Sequence, residues 1–278
     1  MDKPVYPCLW FDGQARAAAE FYCSAFEGSG IESDNSIVVT FRLNGLTFMG
    51  LKGGPIFKIN PSVSMFVDCE TVSETTRIWN YLLEGGKVMM PLDKYPWSEC
   101  YGWLEDKFGL TWQISVSGSE IPGKIIRPSL LFTGKQFGRA KEAIDFYCSV
   151  FTPSTAEMLA YFPEEDENAG KLMYSEFTLN TTRLIAMDGP GQHDFTFNEG
   201  ISLVVSCETQ EEIDHYWTRL TDGGEESRCG WLRDRFGVSW QIVPSILGGL
   251  MSDPEKGGRV MQEIMKMRKL DIASLQKA

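Results

Sequence analysis

The phrase GWLEDKFGLTWQI at 102–114 returns as GWLRDRFGVSWQI at 230–242. A chain that carries one thirteen-residue phrase twice, with charge-compatible or near-isosteric changes, is built from two copies of one folding unit. The correspondence runs through most of the chain. PCLWFDGQARAAAEFYCSAF (7–26) answers to PSLLFTGKQFGRAKEAIDFYCSVF (128–151), which holds a four-residue insertion. TFRLNGLTFMGLKGGP (40–55) answers to EFTLNTTRLIAMDGPG (176–191), and NPSVSMFVDCETVSETTRIWNYLLEGG (60–86) to NEGISLVVSCETQEEIDHYWTRLTDGG (198–224). The offset then falls from 138 to 128, so copy one holds ten extra residues around KVMMPLDKYPWSEC. A surface loop or hairpin tolerates such an insertion and a buried strand does not. The division expected is a first copy at 1–117, a linker at 118–127, a second copy at 128–250 and a C-terminal tail at 251–278.

Within each copy the order reads strand, helix, strands, then strand, helix, strands. Ala15, Ala18, Ala19, Tyr22 and Phe26 form a helical stripe. Thr71 with Glu74, and Thr209 with Glu212, are capping-box pairs that predict two further helix starts, and Gly85-Gly86 predicts a stop. IVVTFRL, LTFMGL, VSMFVDC and LTWQISV are short and rich in β-formers. A βαβββ unit used four times accounts for this order.

Period two sorts the strand residues into faces. Val63, Met65 and Val67 alternate with Ser62, Ser64 and Phe66; Trp112 and Ile114 alternate with Thr111, Gln113 and Ser115. The second copy repeats this with Leu203 and Val205 against Ser202 and Ser206, and Trp240 and Ile242 against Ser239 and Gln241. One face is apolar and belongs under helices. The other mixes hydroxyls, an amide and aromatics, and lacks the Lys and Glu that a solvated sheet carries. It reads as a ligand-facing surface, with an ordinary wet face as the alternative.

Composition bounds the function. With 43% hydrophobic and 12% aromatic residues, the 278-residue chain builds packed cores. A net charge of −12 argues against a nucleic-acid groove. No leader-like or membrane-spanning apolar run is present, so a cytoplasmic protein without a membrane partner is expected. The seven cysteines, with no CxxC pair, read as reduced thiols.

PCLWFDG with AEFYCSAF, FMGLKGGPIFKIN, WNYLLEGG, and above all the closing run from CGWLRDRFGVSWQI to MKMRKLDI, closely resemble the PhnB-like family. Its members carry the label 3-demethylubiquinone methyltransferase-like and belong to the vicinal oxygen chelate superfamily, with glyoxalase and bleomycin-resistance proteins. The resemblance covers about residues 4–117 and 125–276. It implies an α+β fold: tandem vicinal-oxygen-chelate domains, four βαβββ modules forming curled mixed sheets with helices on the outer face, plus the C-terminal helical tail. Methyl transfer finds no support in the residues, because no glycine-rich loop follows a strand and no acidic residue is placed for a nucleoside ribose.

Superfamily enzymes hold a divalent ion with His, Glu or Gln on facing strands. By local alignment those positions fall at Pro7 and Pro128, near Ser62 and Gly200, near Gly50 and Ala186, and at Gln113 and Gln241. Proline, glycine and alanine side chains cannot donate to a metal, serine is a poor neutral ligand, and one amide oxygen alone does not hold a transition ion against water. The only histidines are His193, in a turn, and His215, inside a helix. No built-in metal and no cofactor is therefore expected.

The expected pocket walls are Leu9, Phe11, Phe48, Ser62, Ser64 and Gln113, with Phe132, Ser202 and Gln241 from copy two. Trp103 and Trp231 join them either as pocket caps or as interface residues. Cys23 with Cys148, and Cys69 with Cys207, read as packing thiols, having no histidine partner. Asp106 and Asp234 read as turn-stabilising carboxylates. In the tail, Ser252 or Asp253 is positioned to cap a helix beginning at Pro254, with Val260, Met261, Ile264, Met265 and Met267 as its stripe.

The sequence thus points to a small-molecule-binding protein of the glyoxalase/bleomycin-resistance type with a metal-free pocket. A metal-dependent lyase, isomerase or dioxygenase is the alternative, and a tandem fold with vestigial pockets is a third reading. The ten extra residues of copy one are expected to narrow one opening, so that one pocket dominates. The assembly expected is a monomer with an internal pseudo-twofold axis or a homodimer.

Overall fold

The computed structural model describes residues 4–35, 37–116 and 125–278. Four βαβββ modules follow one another along the chain. The first is β1 (Val5–Phe11), α1 (Ala15–Ala25), β2 (Gly30–Asp34), β3 (Val38–Leu43) and β4 (Leu46–Lys52). The second is β5 (Val63–Cys69), α2 (Val72–Leu82), β6 (Lys87–Tyr95), β7 (Ser98–Glu105) and β8 (Thr111–Val116). The third is β9 (Ile125–Phe132), α3 (Ala140–Val150), β10 (Ser154–Tyr161), β11 (Leu172–Leu179) and β12 (Thr182–Asp188). The fourth is β13 (Ile201–Cys207), α4 (Gln210–Thr221), β14 (Glu225–Glu226), β15 (Trp231–Arg233) and β16 (Ser239–Pro244). Three helices close the chain: α5 (Leu247–Ser252), α6 (Gly257–Lys266) and α7 (Ile272–Lys277).

The strands form two eight-stranded mixed sheets. Sheet I runs β14-β15-β16-β13-β1-β4-β3-β2, and sheet II runs β10-β11-β12-β9-β5-β8-β7-β6. Sheet I therefore joins the first module to the fourth, and sheet II the second to the third. The joins are antiparallel, β1 on β13 and β5 on β9. Each sheet takes one module from each sequence copy, so a site on either sheet is shared between copies. Of the expected linker, 118–124 lies outside the described residues, and 125–127 form the start of β9.

The helices lie where the two sheets meet. Tyr22 of α1 packs against Phe41 of sheet I and Trp112 of sheet II, with ring centroids 6.1 and 5.3 Å away. Tyr147 of α3 does the same with Phe177 of sheet II and Trp240 of sheet I. One contiguous apolar core results. Helix-bearing faces turn toward each other, and the helix-free faces turn away.

The capping boxes form as the sequence implies. Thr71 Oγ1 accepts from the Glu74 amide at 3.2 Å while the Glu74 carboxylate accepts from the Glu70 amide at 3.1 Å; Thr209 and Glu212 repeat the pattern. Among the tail helices the expected start at Pro254 does not appear. Asp253 Oδ1 accepts from the amides of Glu255 and Lys256, which makes a tight turn, and α6 begins after it at Gly257. The tail buries Val260, Ile264, Leu270 and Leu275 against Val243, Cys229 and Leu247.

The repeated phrase now has a residue-by-residue explanation. Asp106 Oδ1 accepts from the amides of Phe108 and Leu110, and Oδ2 from Trp112 Nε1 at 2.8 Å. Asp234 does the same with Phe236, Val238 and Trp240, and also accepts from the Tyr147 hydroxyl at 2.7 Å. Gly109 and Gly237 sit at φ 87° and 91°, the left-handed region that disfavours any side chain. The two tryptophans following are buried in the core. The glutamine after each faces the opposite way.

Candidate functional site

Two polar floors occupy equivalent places on the helix-free faces. On sheet II, Gln113 Nε2 donates to Ser64 Oγ at 2.8 Å, and the Tyr101 hydroxyl donates to Gln113 Oε1 at 2.7 Å. On sheet I, Gln241 Nε2 donates to Ser202 Oγ at 2.9 Å. Both glutamines are only 5% exposed, which places a paired amide deep in each face. The register puts Ser129 beside Ser64, and Cys8 beside Ser202 and Met49.

The surroundings of the two floors differ. On sheet II, the β6–β7 hairpin carries the ten extra residues, and its Met90 and Tyr95 pack on a cluster of Phe66, Tyr101 and Ile185. Tyr95 stacks on Trp97 at 5.0 Å. Arg127, buried, pairs with Asp68 and with Glu176 (2.7 Å), and its guanidinium lies 5.4 Å from the Phe66 ring. Burial pushes the Asp68 carboxyl up against the pull of Arg127. The sheet II face is thus filled by its own side chains.

Sheet I keeps a different wall. Trp10 meets Phe57 edge-on at 4.9 Å and Trp231 at 5.9 Å. Its indole Nε1 donates to the Gly54 carbonyl at 2.7 Å. A Cβ on Gly53 would stand 2.2 Å from the Trp10 ring, so glycine is what lets the indole lie there. The place of Arg127 is taken by Tyr6, and that of Tyr101 by Cys229, whose amide bonds to Met267 of the tail. Burial pushes the Cys8 thiol up to about 12, although Gln241 and Ser202 in reach favour the thiolate. A neutral thiol at that floor is a weak donor rather than a nucleophile.

The expected pocket residues divide. Gln113 and Ser64 come together on sheet II, and Gln241 and Ser202 on sheet I. Ser62 is buried just before β5; its amide is held by Asn60 Oδ1 and its carbonyl by the Leu131 amide. Trp103 stands beside Gln113 and Trp231 beside Gln241 in the strand register. Leu9, Phe11, Phe48 and Phe132 do not belong with them. They lie in the apolar core on the helix-covered faces, because in β1 and β9 the inward parity falls on Leu9, Phe11 and Phe132 and the outward parity on Cys8, Trp10 and Ser129. Leu9, Phe11 and Phe48 also belong to sheet I, so they could not share a face with Gln113 on sheet II.

The same shift of one or two residues applies to the metal-equivalent positions. A Cβ on Gly50 would touch Ala15 of α1 and the Phe11 ring, which places Gly50 on the helix side. The outward-facing residues at those places are Cys8 and Ser129, Met49 and Ile185, and Ser202 and Ser64. Sequence reasoning missed Cys8, Trp10, Met49, Phe57 and Tyr101. The repeat alignment of Cys8 with Ser129 was the signal available for the floor. Among the described residues, no group of three or more His, Cys, Asp or Glu side chains lies close enough to hold a metal ion.

Comparison with known proteins decides the family. The model of a family described as 3-demethylubiquinone-9 3-methyltransferase matches residues 3–115 and again 124–243. The chain belongs to this PhnB-like family. It is a tandem member, since the family model matches it twice. Glyoxalase I from Zea mays superposes with a TM-score of 0.60 at 11% identity, over 87% of this chain and 92% of that one, which shows a shared fold. A PhnB protein from Bacillus cereus is 36% identical over 40% of this chain and 98% of its own, with a TM-score of 0.38. A search of curated proteins returns no match. No helix among the described residues is long and apolar enough to cross a membrane.

Proposed function

We propose that this PhnB-like protein binds a small molecule on the helix-free face of sheet I, without a resident metal. The observation that carries the reading is the asymmetry of the two glutamine floors. Gln113 has both ends of its amide engaged, by Ser64 and Tyr101, under a covering hairpin. Gln241 shares the buried polar position, but has cysteine where Tyr101 would stand and aromatic rings at its rim. A flat apolar ligand would part or lie along Trp10 and Trp231 and present one polar group to Gln241 and Ser202. Few polar groups at the base of an aromatic wall are the usual make-up of a small-molecule pocket.

The divalent ion of superfamily enzymes does not fit these residues. The outward positions supply Cys8, Met49, Ser202 and Gln241 on sheet I, and Ser129, Ile185, Ser64 and Gln113 on sheet II. Neither set contains a carboxylate or an imidazole, and the one thiol, Cys8, is kept protonated by burial, which leaves too few donors for a divalent ion.

The test is a fluorescence and thermal-shift screen of aromatic small molecules on three proteins: the full chain, Gln241→Ala and Gln113→Ala. Loss of one ligand hydrogen bond weakens binding by about tenfold. The reading expects that loss in Gln241→Ala alone. Loss confined to Gln113→Ala would move the site to sheet II and overturn the reading.

A further inference from the structure

Beside Trp231 the sheet I face continues into a cavity of about 120 Å³, lined by Glu199, Glu225, Glu226, Trp231, Arg233 and Ser239 among others. Three carboxylates and one guanidinium make its lining negative. Two of the carboxylates are engaged: Glu225 pairs with Arg233 at 2.5 Å, and Glu226 accepts from Trp217 Nε1 at 2.9 Å and faces Arg268 at 3.7 Å. Ser239 is 1% exposed, and its Oγ has no hydrogen-bond partner among the described residues. A buried hydroxyl left unpaired at an acidic cavity lacks a partner for its proton and for its lone pairs: the proton suits a neighbouring carboxylate, and the oxygen can accept from a ligand donor.

The first copy keeps the unpaired buried hydroxyl, as Thr111 Oγ1, but not the acidic lining beside it. Pro61 stands in the place of Glu199 and Val88 in that of Glu226, and the ion pair is reversed as Lys87 with Glu105 at 3.0 Å. The negative character is therefore particular to the sheet I side.

We propose that the ligand of sheet I carries a positively charged amine, received in this cavity by the Glu199 carboxylate, the Ser239 hydroxyl and the face of Trp231. An ammonium has three donors and no acceptor, which suits a carboxylate and an orphaned oxygen together, and an indole face attracts cations. The proposal rests on the reading of sheet I as the binding face.

The experiment titrates the full-length protein with 2-phenylethylamine, 2-phenylethanol and phenylacetate, followed by tryptophan fluorescence. The amine is expected to bind about fivefold tighter than the alcohol, the size of one solvent-accessible ion pair, with the acid weakest. Glu199→Gln should bring the amine to the affinity of the alcohol and leave the alcohol unchanged; Ser239→Ala should weaken the amine alone. Binding of the alcohol with no preference for the amine, or an amine affinity untouched by Glu199→Gln, would overturn this inference and leave the sheet I reading standing. Failure of all three probes to bind would overturn both.

Discussion

Tyr101 donates its hydroxyl proton to Gln113 Oε1 at 2.7 Å, and the residue at its place in the other copy is Cys229. That one difference leaves Gln241, which is bonded to Ser202 and lies in reach of Cys8, without the tyrosine partner that closes over Gln113. Ser115 on sheet II is bonded to Ser98 of the hairpin at 3.0 Å; Val243, in the equivalent place on sheet I, is covered by the C-terminal helices. The same patch of sheet is sealed by two unrelated devices.

Removing the Tyr101 hydroxyl should show up as lost stability rather than lost function. In Tyr101→Phe a buried amide oxygen loses its partner, at a cost of about 1–3 kcal/mol. Chemical denaturation should report that loss while ligand binding at sheet I is unchanged.

Gly53→Ala tests the wall. The added Cβ collides with the Trp10 ring, and the indole must leave its position against Phe57 and Trp231. Ligand affinity is expected to fall by about tenfold, the equivalent of ~1.4 kcal/mol, with a shift in tryptophan emission. Unaltered emission and affinity would show that Trp10 does not shape the site.

The repeated aspartates should titrate in the folded protein. Burial raises the Asp106 carboxyl to about 6, against the hydrogen bonds from Trp112 and the turn amides, which favour its charged form. A carboxyl raised on folding gives its full contribution below its unfolded pKa, and that contribution is lost as pH climbs through about 6. Wild-type stability measured relative to Asp106→Asn, which cannot titrate there, should therefore decline between about pH 4 and 6 and then level off. A flat difference across that range would contradict the burial of a titrating carboxyl.

The tail is structural. Leu275 is fully buried among Val260, Ile264 and Leu270, so Leu275→Ala should cost about 2–5 kcal/mol in equilibrium unfolding. A cost near zero would mean that the tail does not dock as described.

Much of this fold was legible in the sequence, because its signals are local. Thr71 with Glu74, the glycine after Phe108 and the alternation of Ser64 with Met65 each act within a few residues. Other features depend on partners far away in the chain. Nothing in VYPCLWF states that β1 pairs with β13 rather than with a strand of its own copy. Its Leu9 and Trp10 are both apolar, so alternation offers no polar contrast to choose a face, whereas serine against methionine in β5 does. The two floors were found through their polar residues, and the aromatic walls were misplaced for lack of them.

The most direct measurement is a crystal structure of protein taken from its producing cells or soaked with a ligand found in the screen. The account predicts ligand density against Trp10 and Trp231, with a polar atom within hydrogen-bonding distance of Gln241 or Ser202 and no metal at the floor. Ligand density on the Gln113 face instead, or a metal ion held by Cys8, Met49 and Gln241, would contradict it.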